Sequence, residues 1–318
     1  MSEYRAEVLA DSAYEHPVTG ELLRVTTMLA TFPRFILAEW NTHRMLSRNS
    51  NSSRAIPPER QIAAVRESPF VPATFNRRVK GMGVGEELPD RDAERARRAW
   101  LRAATTACIE AEYLLDMDVD KSRINRLLEP FLWHTAIFTA TDWDNVWALR
   151  DAPTAQPEFQ TIASLMRETM GASSPVLLAP GQWHLPGLTH NEWAETRRPE
   201  TTQIEEYKQV SAGRLAKWTS YGREYEYEGA LFAQTRCGAL ISSFHLSPLE
   251  HQCRPFTDDE WALVYSMQRQ LATARAIWAQ PPQWMLRQLE YAGNLRGFVQ
   301  FRKEIANEHD ASRSDLLV

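Results

Sequence analysis

The stretch THRMLSRNSNSSRA at residues 42–55 decides the fold assignment of this chain, because few surface loops are so polar. It holds three Arg, one His, two Asn and four Ser, directly after the apolar run FPRFILAEW at 32–40. Arginine forks beside short hydroxyl and amide side chains can hold phosphate oxygens through charge-assisted hydrogen bonds. The alternative is an exposed loop of solvated arginines, since Ser, Asn and Arg are common on surfaces. The stretch therefore predicts either an anion-binding site or a plain loop.

The composition indicates a globular protein with a hydrophobic core. The chain has 318 residues, of which 43% are hydrophobic and 10% aromatic, enough for one large domain or two ordinary ones. Its formal net charge of −5 argues against a nucleic-acid-binding protein, because phosphate neutralisation requires a basic face. Arg supplies 31 of the 36 basic residues, which favours forked recognition of phosphate or carboxylate.

Cysteine spacing and the N-terminal sequence predict a cytoplasmic protein. Cys108, Cys237 and Cys253 form no paired pattern, so we expect reduced thiols. The N-terminus lacks a basic start followed by an apolar core, and no apolar run approaches the length of a membrane span. We therefore expect neither a signal peptide nor a membrane contact.

Hydrophobic periodicity predicts an α+β, helix-rich chain with one domain over residues 1–318. Residues 21–32 are rich in β-branched and apolar residues and predict a strand, and the Thr-Asp-Asp-Glu box at 257–260 predicts the start of a helix. The other predicted helices cover 35–46, 92–116, 121–137 with an interruption at Pro130, the segment DNVWALR, 159–170 and 203–235. Residues 48–60 predict a loop, and 72–92 and 172–200 predict surface excursions.

A second polar cluster lies in DNVWALRDAPTAQPE, where Asn145 precedes Arg150 by five residues beside Trp143 and Trp147. Apolar walls around Arg150 would place its charge in a medium of low dielectric constant. The alternative is an arginine that only complements the helix dipole at a C-terminus.

A third cluster, RCGALISSFHLSPLEHQC at 236–253, raises a zinc hypothesis through Cys237, His245, His251 and Cys253. Its spacing fits no usual structural zinc site, and a buried, hydrogen-bonded histidine is the commoner explanation. We therefore expect no metal site.

Together the three clusters resemble conserved blocks of the flavin-dependent thymidylate synthases. The first block is similar to the family signature Arg-His-Arg-x-x-Ser-x-Asn-Glu-x-Ser-x-Arg, through Thr42-His43-Arg44, Ser47, Asn49-Ser50, Ser52 and Arg54. The second resembles an Asn followed by Arg and Ala-Gln, through Asn145, Arg150, Ala155 and Gln156, with Arg126 and Pro130 similar to Arg-x-x-x-Pro. The third, FHLSPLEH, is similar to His-Glu-Thr-Pro-Phe-Glu-His, which follows an Arg-Cys-rich strand.

The resemblance implies a fold and an assembly. It implies a central, mostly antiparallel sheet in a homotetramer whose subunits share active sites. In the family the third block usually precedes the signature, whereas here it follows by about 200 residues. We therefore expect a circular permutation, or a branch whose chain starts at another point of the same fold.

The resemblance also implies an activity, the C5-methylation of a uracil nucleotide, UMP and/or dUMP. Methylenetetrahydrofolate would donate the carbon, reduced FAD the hydride, and NADPH would reduce the flavin again. No Cys lies in a basic setting suited to attack on uracil C6, which favours the flavin route. The alternatives are a non-catalytic flavin- or nucleotide-binding protein and a zinc-binding module.

By the same resemblance, Arg150 would stabilise negative charge on the uracil and Asn145 would bridge flavin and pyrimidine. The implied flavin-binding residues are His43, Arg44, Asn49, Asn145, Thr154, His245 and Ser247. The implied substrate-binding residues are Glu39, Ser50, Ser52, Ser53, Arg54, Arg126 and Arg150.

Several positions differ from the family pattern. Thr42, Ser50 and Ala55 replace an Arg, a Glu and an aromatic residue. Thr154 stands where the family has a flavin-contacting His, and Glu39 where it has a substrate-touching Gln. The small Ser50 and Ala55 leave room for a ribose 2′-hydroxyl, so we expect UMP to be accepted beside dUMP. This resembles the branch that methylates UMP in the biosynthesis of polyoxin-type nucleoside antibiotics.

Overall fold

A five-stranded sheet carries the segments that form the site. The structure, a computed structural model, describes residues 4–81, 83–198, 203–221, 229–277, 293–306 and 308. The strand order is β3-β4-β2-β1-β5, and the pairs are antiparallel except β1 with β5. The strands are β1 (Arg5–Glu15), β2 (Leu22–Pro33), β3 (Ser47–Ser50), β4 (Trp133–Ala140) and β5 (Val176–Leu177).

Helices and a two-stranded sheet surround it. The helices are α1 (Leu37–Trp40), α2 (Pro58–Glu67), α3 (Asp90–Asp116), α4 (Lys121–Leu128), α5 (Asp144–Arg150), α6 (Pro157–Gly171), α7 (His190–Thr196), α8 (Ile204–Tyr221), α9 (Ala230–Ser242) and α10 (Asp258–Ile277). Strands β6 (Cys253–Pro255) and β7 (Phe298–Gln300) pair antiparallel. This architecture confirms the predicted helix-rich α+β fold with a mostly antiparallel central sheet.

Apolar side chains point alternately to the two sides of β2 and β4, so both faces of the sheet are buried. Met28, Phe32 and Phe138 point to one face, where they pack with Trp40 of α1 and Phe159 of α6. Because successive strand residues face opposite sides, the neighbouring residues point the other way. There, Leu29 and Ile137 pack against Leu215 and Trp218 of α8. The sheet is thus covered on both sides, and β3 lies at its edge next to β4.

Several predicted elements are confirmed. The strand over 21–32 corresponds to β2, and the predicted helices over 92–116, DNVWALR and 159–170 correspond to α3, α5 and α6. The capping box of α10 is formed, since the Thr257 backbone N–H donates to Glu260 Oε2 at 2.8 Å and the Glu260 N–H donates to Thr257 Oγ1 at 3.2 Å. The helix over 203–235 is α8 and the start of α9, and residues 222–228 between them lie outside the described residues.

Other predicted elements are wrong in type or extent. The helix over 121–137 ends at Leu128, and Trp133–Ala140 is strand β4, because Pro130 ends the helix and WHTAIFTA is rich in β-forming residues. The helix over 35–46 extends only to Trp40, after which the Asn41, Thr42 and His43 N–H groups close turns. Residues 48–60 contain most of β3 and the start of α2, whose Pro58 suits a first helical turn.

The Arg-Cys-rich segment before FHLSPLEH is helix α9 and not a strand. Cys237 and Ala233, four residues apart, are buried on one face of this helix. Gly213 of α8 allows α9 to approach closely, since a Cβ there would lie 2.0 Å from the Ala233 carbonyl oxygen. Helix packing therefore decides the conformation of this segment.

None of the helices within the described residues is long and apolar enough to cross a lipid bilayer.

Candidate active site

Arg150 and His43 meet where α5 ends, beside the turn that precedes β3. Arg150 Nε donates a hydrogen bond to His43 Nε2 at 2.9 Å, and its Nη2 donates to Thr42 Oγ1 at 3.4 Å. The guanidinium carbon lies 4.7 Å from the centroid of the Phe159 ring of α6. The structure thus joins the signature stretch and the second block, which lie 107 residues apart at this contact.

The imidazole of His43 lies in apolar surroundings. It is 7% exposed, and its ring centroid lies 6.2 Å from that of Trp40 and 6.4 Å from that of Phe159. Burial lowers the pKa of His43 and the Arg150 charge lowers it further, while a hydrogen bond with Asn145 partly opposes them. Because Arg150 can only donate, Nε2 must accept and the neutral ring carries its proton on Nδ1.

Two tryptophans orient α5. The Trp143 and Trp147 rings stack at 5.2 Å with an interplanar angle of 8°. Trp143 and Val146 belong to the buried core below the sheet, so the helix is fixed along one side. Arg150 in the last turn of α5 also complements the helix dipole. Arg150 thus lies at a helix C-terminus with one aromatic ring, that of Phe159, against its guanidinium.

Buried polar side chains hold the loop at residues 51–56 from below. Arg34 donates to Glu129 Oε1 at 3.1 Å, to Asn51 Oδ1 at 3.1 Å and to Ser53 Oγ at 3.0 Å. The Ser53 hydroxyl donates in turn to the Glu129 carboxylate. Asn125 Nδ2 donates to the Ser53 carbonyl at 2.6 Å. Ser53, implied as a phosphate ligand, is thus engaged inside the protein.

The sequence interpretation missed Arg34 and Glu129. Arg34 is the one basic residue of the apolar run at 32–40, and a charge among apolar neighbours indicates a buried ion pair. Glu129 directly precedes Pro130, but nothing in its sequence context distinguishes it from a solvated glutamate.

Three implied phosphate ligands lie at the surface near this loop. Ser52, Arg54 and Arg126 are exposed. Arg126 Nη1 donates to Glu129 Oε2 at 3.4 Å, and Ser52 Oγ accepts from the Arg54 backbone N–H at 3.3 Å. The loop, whose backbone Arg34 and Asn125 fix, therefore presents the Arg54 guanidinium to solvent, and the last turn of α4 presents that of Arg126.

The third block lies beside the signature in the same chain. The 3₁₀ turn at Ser247–Glu250 contacts β3. Gln300 Nε2 bridges the two by donating to Ser47 Oγ at 2.7 Å and to the Glu250 carbonyl at 2.6 Å. His251 Nδ1 lies 2.8 Å from Thr139 Oγ1, in the strand that pairs with β3. This proximity is the one expected if the third block belongs to the site, whereas the circular permutation stays a prediction.

The other implied residues have diverse surroundings. The buried Asn49 donates its Nδ2 to the Leu215 carbonyl of α8 at 3.1 Å, so this donor is engaged away from solvent. Glu39 is half-buried, and within the described part of the chain its buried Oε2 has no hydrogen-bond partner. The remaining positions lie at or near the surface: Arg44, Ser50, Asn145, Thr154, His245 and Ser247.

The cysteines and histidines of the zinc hypothesis do not converge. Burial raises the pKa of the Cys237 thiol to about 11 and that of Cys253 well above its usual range. Cys237 and Cys253 belong to different core clusters, and His245 is exposed. Across the described ranges, no three His, Cys, Asp or Glu side chains are grouped to hold a metal ion.

Comparison of the sequence with known families identifies the family of this chain. The family described as thymidylate synthase complementing protein matches residues 6–176, which is more than half of the chain. The chain belongs to this family. The match includes the signature stretch and the second block of this thymidylate synthase complementing protein family, and it ends before FHLSPLEH.

Two solved structures resemble this family member at low identity. Both are crystal structures of the UMP/dUMP methylase PolB from Streptomyces cacaoi, one bound with 5-Br UMP and one with 5-Br dUMP. The first is 18% identical with a TM-score of 0.43, and the match covers 54% of this chain and 90% of that one. For the second the identity is 18%, the TM-score 0.42 and the coverage 54% and 91%. No curated protein matches the chain.

Proposed function

We propose that this chain is a flavin-dependent C5-methylase of uracil nucleotides that accepts both UMP and dUMP. Its co-substrates would be methylenetetrahydrofolate and NADPH. The observation that carries the proposal is the fixed guanidinium of Arg150, held by His43 and Phe159 at the family's motif position. Membership of the thymidylate synthase complementing protein family supports the reaction class.

Arg150 supplies the electrostatic part of the reaction. Uracil C5 is a poor nucleophile, and it attacks a one-carbon donor only when negative charge can develop on the pyrimidine ring. A preorganised cation beside that ring stabilises the charge without reorganising water. Since Nε is bound to His43 and Nη2 contacts Thr42, Nη1 of Arg150 remains to meet a uracil carbonyl.

The loop at 51–56 binds the nucleotide phosphate. Arg54 and Arg126 offer exposed guanidinium groups, and forked donors suit phosphate oxygens. Glu39 Oε2 is buried and has no hydrogen-bond partner among the described residues, so it would accept from a sugar hydroxyl or a ring N–H only where the bound nucleotide displaces its covering side chains. The small side chains of Ser50 and Ala55 leave space for the 2′-hydroxyl, so the pocket takes both sugars.

The donor set near Arg150 also fits FAD. Arg44 follows His43 in the chain, Asn145 lies in α5 and Thr154 in the turn after it. All three are exposed donors, and such groups suit a pyrophosphate and the edge of a flavin ring. Bound FAD would supply the hydride. His43 and Asn49 have ring or amide groups engaged inside the protein, so we assign them to support of this site. We further propose the homotetramer, with sites shared between subunits.

Turnover with both nucleotides tests the proposal. The purified protein is given FAD, NADPH and methylenetetrahydrofolate with either UMP or dUMP, and the C5-methylated product is measured by mass spectrometry. Both nucleotides should be converted. Arg150→Ala should lower turnover about 10²–10³-fold with unchanged flavin content, because its charge acts on the pyrimidine. Arg167→Ala, which removes an exposed arginine of α6 paired with Asp151, is the matched control.

Each contrary outcome identifies the part that fails. Near-normal turnover in Arg150→Ala would remove this residue from the mechanism. Conversion of dUMP alone would show that the space near Ser50 and Ala55 is not used for a ribose. A flavin-containing protein that converts neither nucleotide would favour the non-catalytic binder.

A further inference from the structure

We infer that His43 is a positioning residue that holds the Arg150 guanidinium through the lone pair on Nε2, so that the site requires a neutral His43. The resemblance to the family assigns His43 to the flavin, and the structure gives it a different role. The consequence for turnover rests on the proposed function, whereas the contact between the two side chains does not.

The contact is directional. Nε is the guanidinium nitrogen nearest the aliphatic stem, and it donates to His43 Nε2 at 2.9 Å. The Phe159 ring lies under the same guanidinium at 4.7 Å. One in-plane acceptor and one aromatic face together define both the position and the plane of the group. Nη2 contacts Thr42, so Nη1 is left oriented for a ligand.

His43 is itself held in place. Its carbonyl accepts from Arg48 Nη1 at 2.8 Å and from the Leu46 N–H at 3.2 Å. Its ring lies in the aromatic group that Trp40 and Phe159 form with a centroid distance of 4.6 Å. The amide of Asn145 acts on the ring from α5 and raises its pKa. An acceptor fixed on three sides can orient a long arginine side chain, which would otherwise sample many rotamers.

Protonation of the His43 imidazole would break its contact with Arg150. The charged groups that act on the ring are cations, Arg150 from α5 and Arg48 from β3, while Asn145 of α5, Trp40 of α1 and Phe159 of α6 are uncharged. A protonated imidazole has no lone pair to accept from Arg150 and repels it. Because these cations and burial lower the pKa of His43, the contact persists through neutral pH and is lost only in acid.

Two substitutions separate the two ring nitrogens. The amide group of Gln reaches the position of Nε2, so His43→Gln can accept from Arg150 and cannot titrate. The shorter Asn reaches only the position of Nδ1, so His43→Asn keeps a polar group towards Asn145 and loses the acceptor for Arg150. His43→Asn should lower kcat about 10²-fold, as expected for a displaced catalytic group. His43→Gln should retain most of the wild-type kcat.

The pH profile provides a readout that a purely structural role would not change. Wild-type kcat should fall below the lowered pKa of His43, and this acid limb should disappear in His43→Gln. Equal losses in the two variants, wild-type kcat in both, or an unchanged acid limb in His43→Gln would each overturn the proposal.

A measurement without substrate separates this proposal from the proposed function. In the wild-type protein, the NMR signal of the Arg150 Nε–H should shift with the same midpoint as the His43 ring signals when pH is lowered. The signal should not titrate at that midpoint in His43→Gln. A signal that is independent of His43 in the wild-type protein would overturn the positioning role, even if both nucleotides are converted. A shared midpoint would support it even if neither is converted or if the variants do not fold.

Discussion

At the scale of the residue, Ser52 and Ser53 show that the role of a side chain depends on its burial and its hydrogen-bond partners. They are adjacent and identical in type, and the resemblance assigns both to the phosphate. Ser52 is exposed, whereas Ser53 is 6% exposed and lies between Arg34 and Glu129. One serine can therefore bind a ligand, and the other holds the loop.

Alanine substitutions should distinguish these two serines. Ser53→Ala should lower the free energy of unfolding by about 1–3 kcal/mol, because Glu129 and Arg34 lose a buried partner. Ser52→Ala should leave stability nearly unchanged and weaken nucleotide binding. Urea denaturation and titration calorimetry with UMP measure the two effects. The assignment is wrong if Ser53→Ala weakens binding without loss of stability.

The sequence could predict the positions in the site but not the role of each side chain. Motif spacing identified His43, Asn145 and Arg150, and the structure brings these three together. Spacing contains no information on which nitrogen of His43 faces Arg150, or on the buried contacts of Asn49. Those depend on packing between elements far apart in sequence.

At the scale of elements, a hydrogen-bond network of buried polar side chains crosses the sheet. Ser12 of β1 contacts His184 Nδ1 at 2.9 Å, and His184 Nε2 contacts Thr27 of β2 at 2.8 Å. Thr27 contacts Thr139 of β4 at 2.7 Å, and Thr139 contacts His251 at 2.8 Å. The predicted helix over 121–137 assigned the first part of β4 to a helix, whereas the strand is what places Thr139 opposite Thr27.

The buried histidines should make stability depend on pH. Burial lowers the pKa of His184 from 6.5 to about 4 and that of His251 from 6.5 to about 3. Below pH 6.5 the unfolded chain therefore binds more protons than the folded chain. The free energy of unfolding should be highest above that pH and should fall as the pH decreases towards 4. For His184 the loss is on the order of 3 kcal/mol.

Urea denaturation at several pH values measures this fall. His184→Gln keeps hydrogen-bonding groups between Ser12 and Thr27 but cannot titrate, so its stability should decrease less between pH 6.5 and 4. A wild-type protein equally stable across this range would contradict the buried, neutral state of these histidines.

At the scale of the whole molecule, the region that matches the family lacks the helix that packs on one face of the central sheet. Residues 6–176 include β1 to β4, but Leu29 and Ile137 pack against Leu215 and Trp218 of α8. Composition and periodicity predicted a single domain over 1–318, and they could not show that α8 covers the second face. That pairing follows from the three-dimensional arrangement of segments about 80–190 residues apart in the sequence.

We therefore predict that the chain unfolds as one cooperative unit and that residues 1–178 alone do not fold. Burial of a large apolar side chain contributes roughly 1.5–3 kcal/mol, and a domain is stable by only about 5–15 kcal/mol. Exposing Leu29 and Ile137, and losing His184 and His251 as partners of Thr27 and Thr139, would remove a large share of that stability.

Two probes in urea decide this prediction. Far-UV circular dichroism and tryptophan fluorescence should show coincident transitions for the full chain, because Trp143 on one face of the sheet and Trp218 on the other report the same event. The 1–178 fragment should show no cooperative transition and should bind a hydrophobic dye through its uncovered sheet face. Two separate transitions in the full chain, or a fragment that unfolds at the same urea concentration as the full chain, would show that the matched region is a domain of its own.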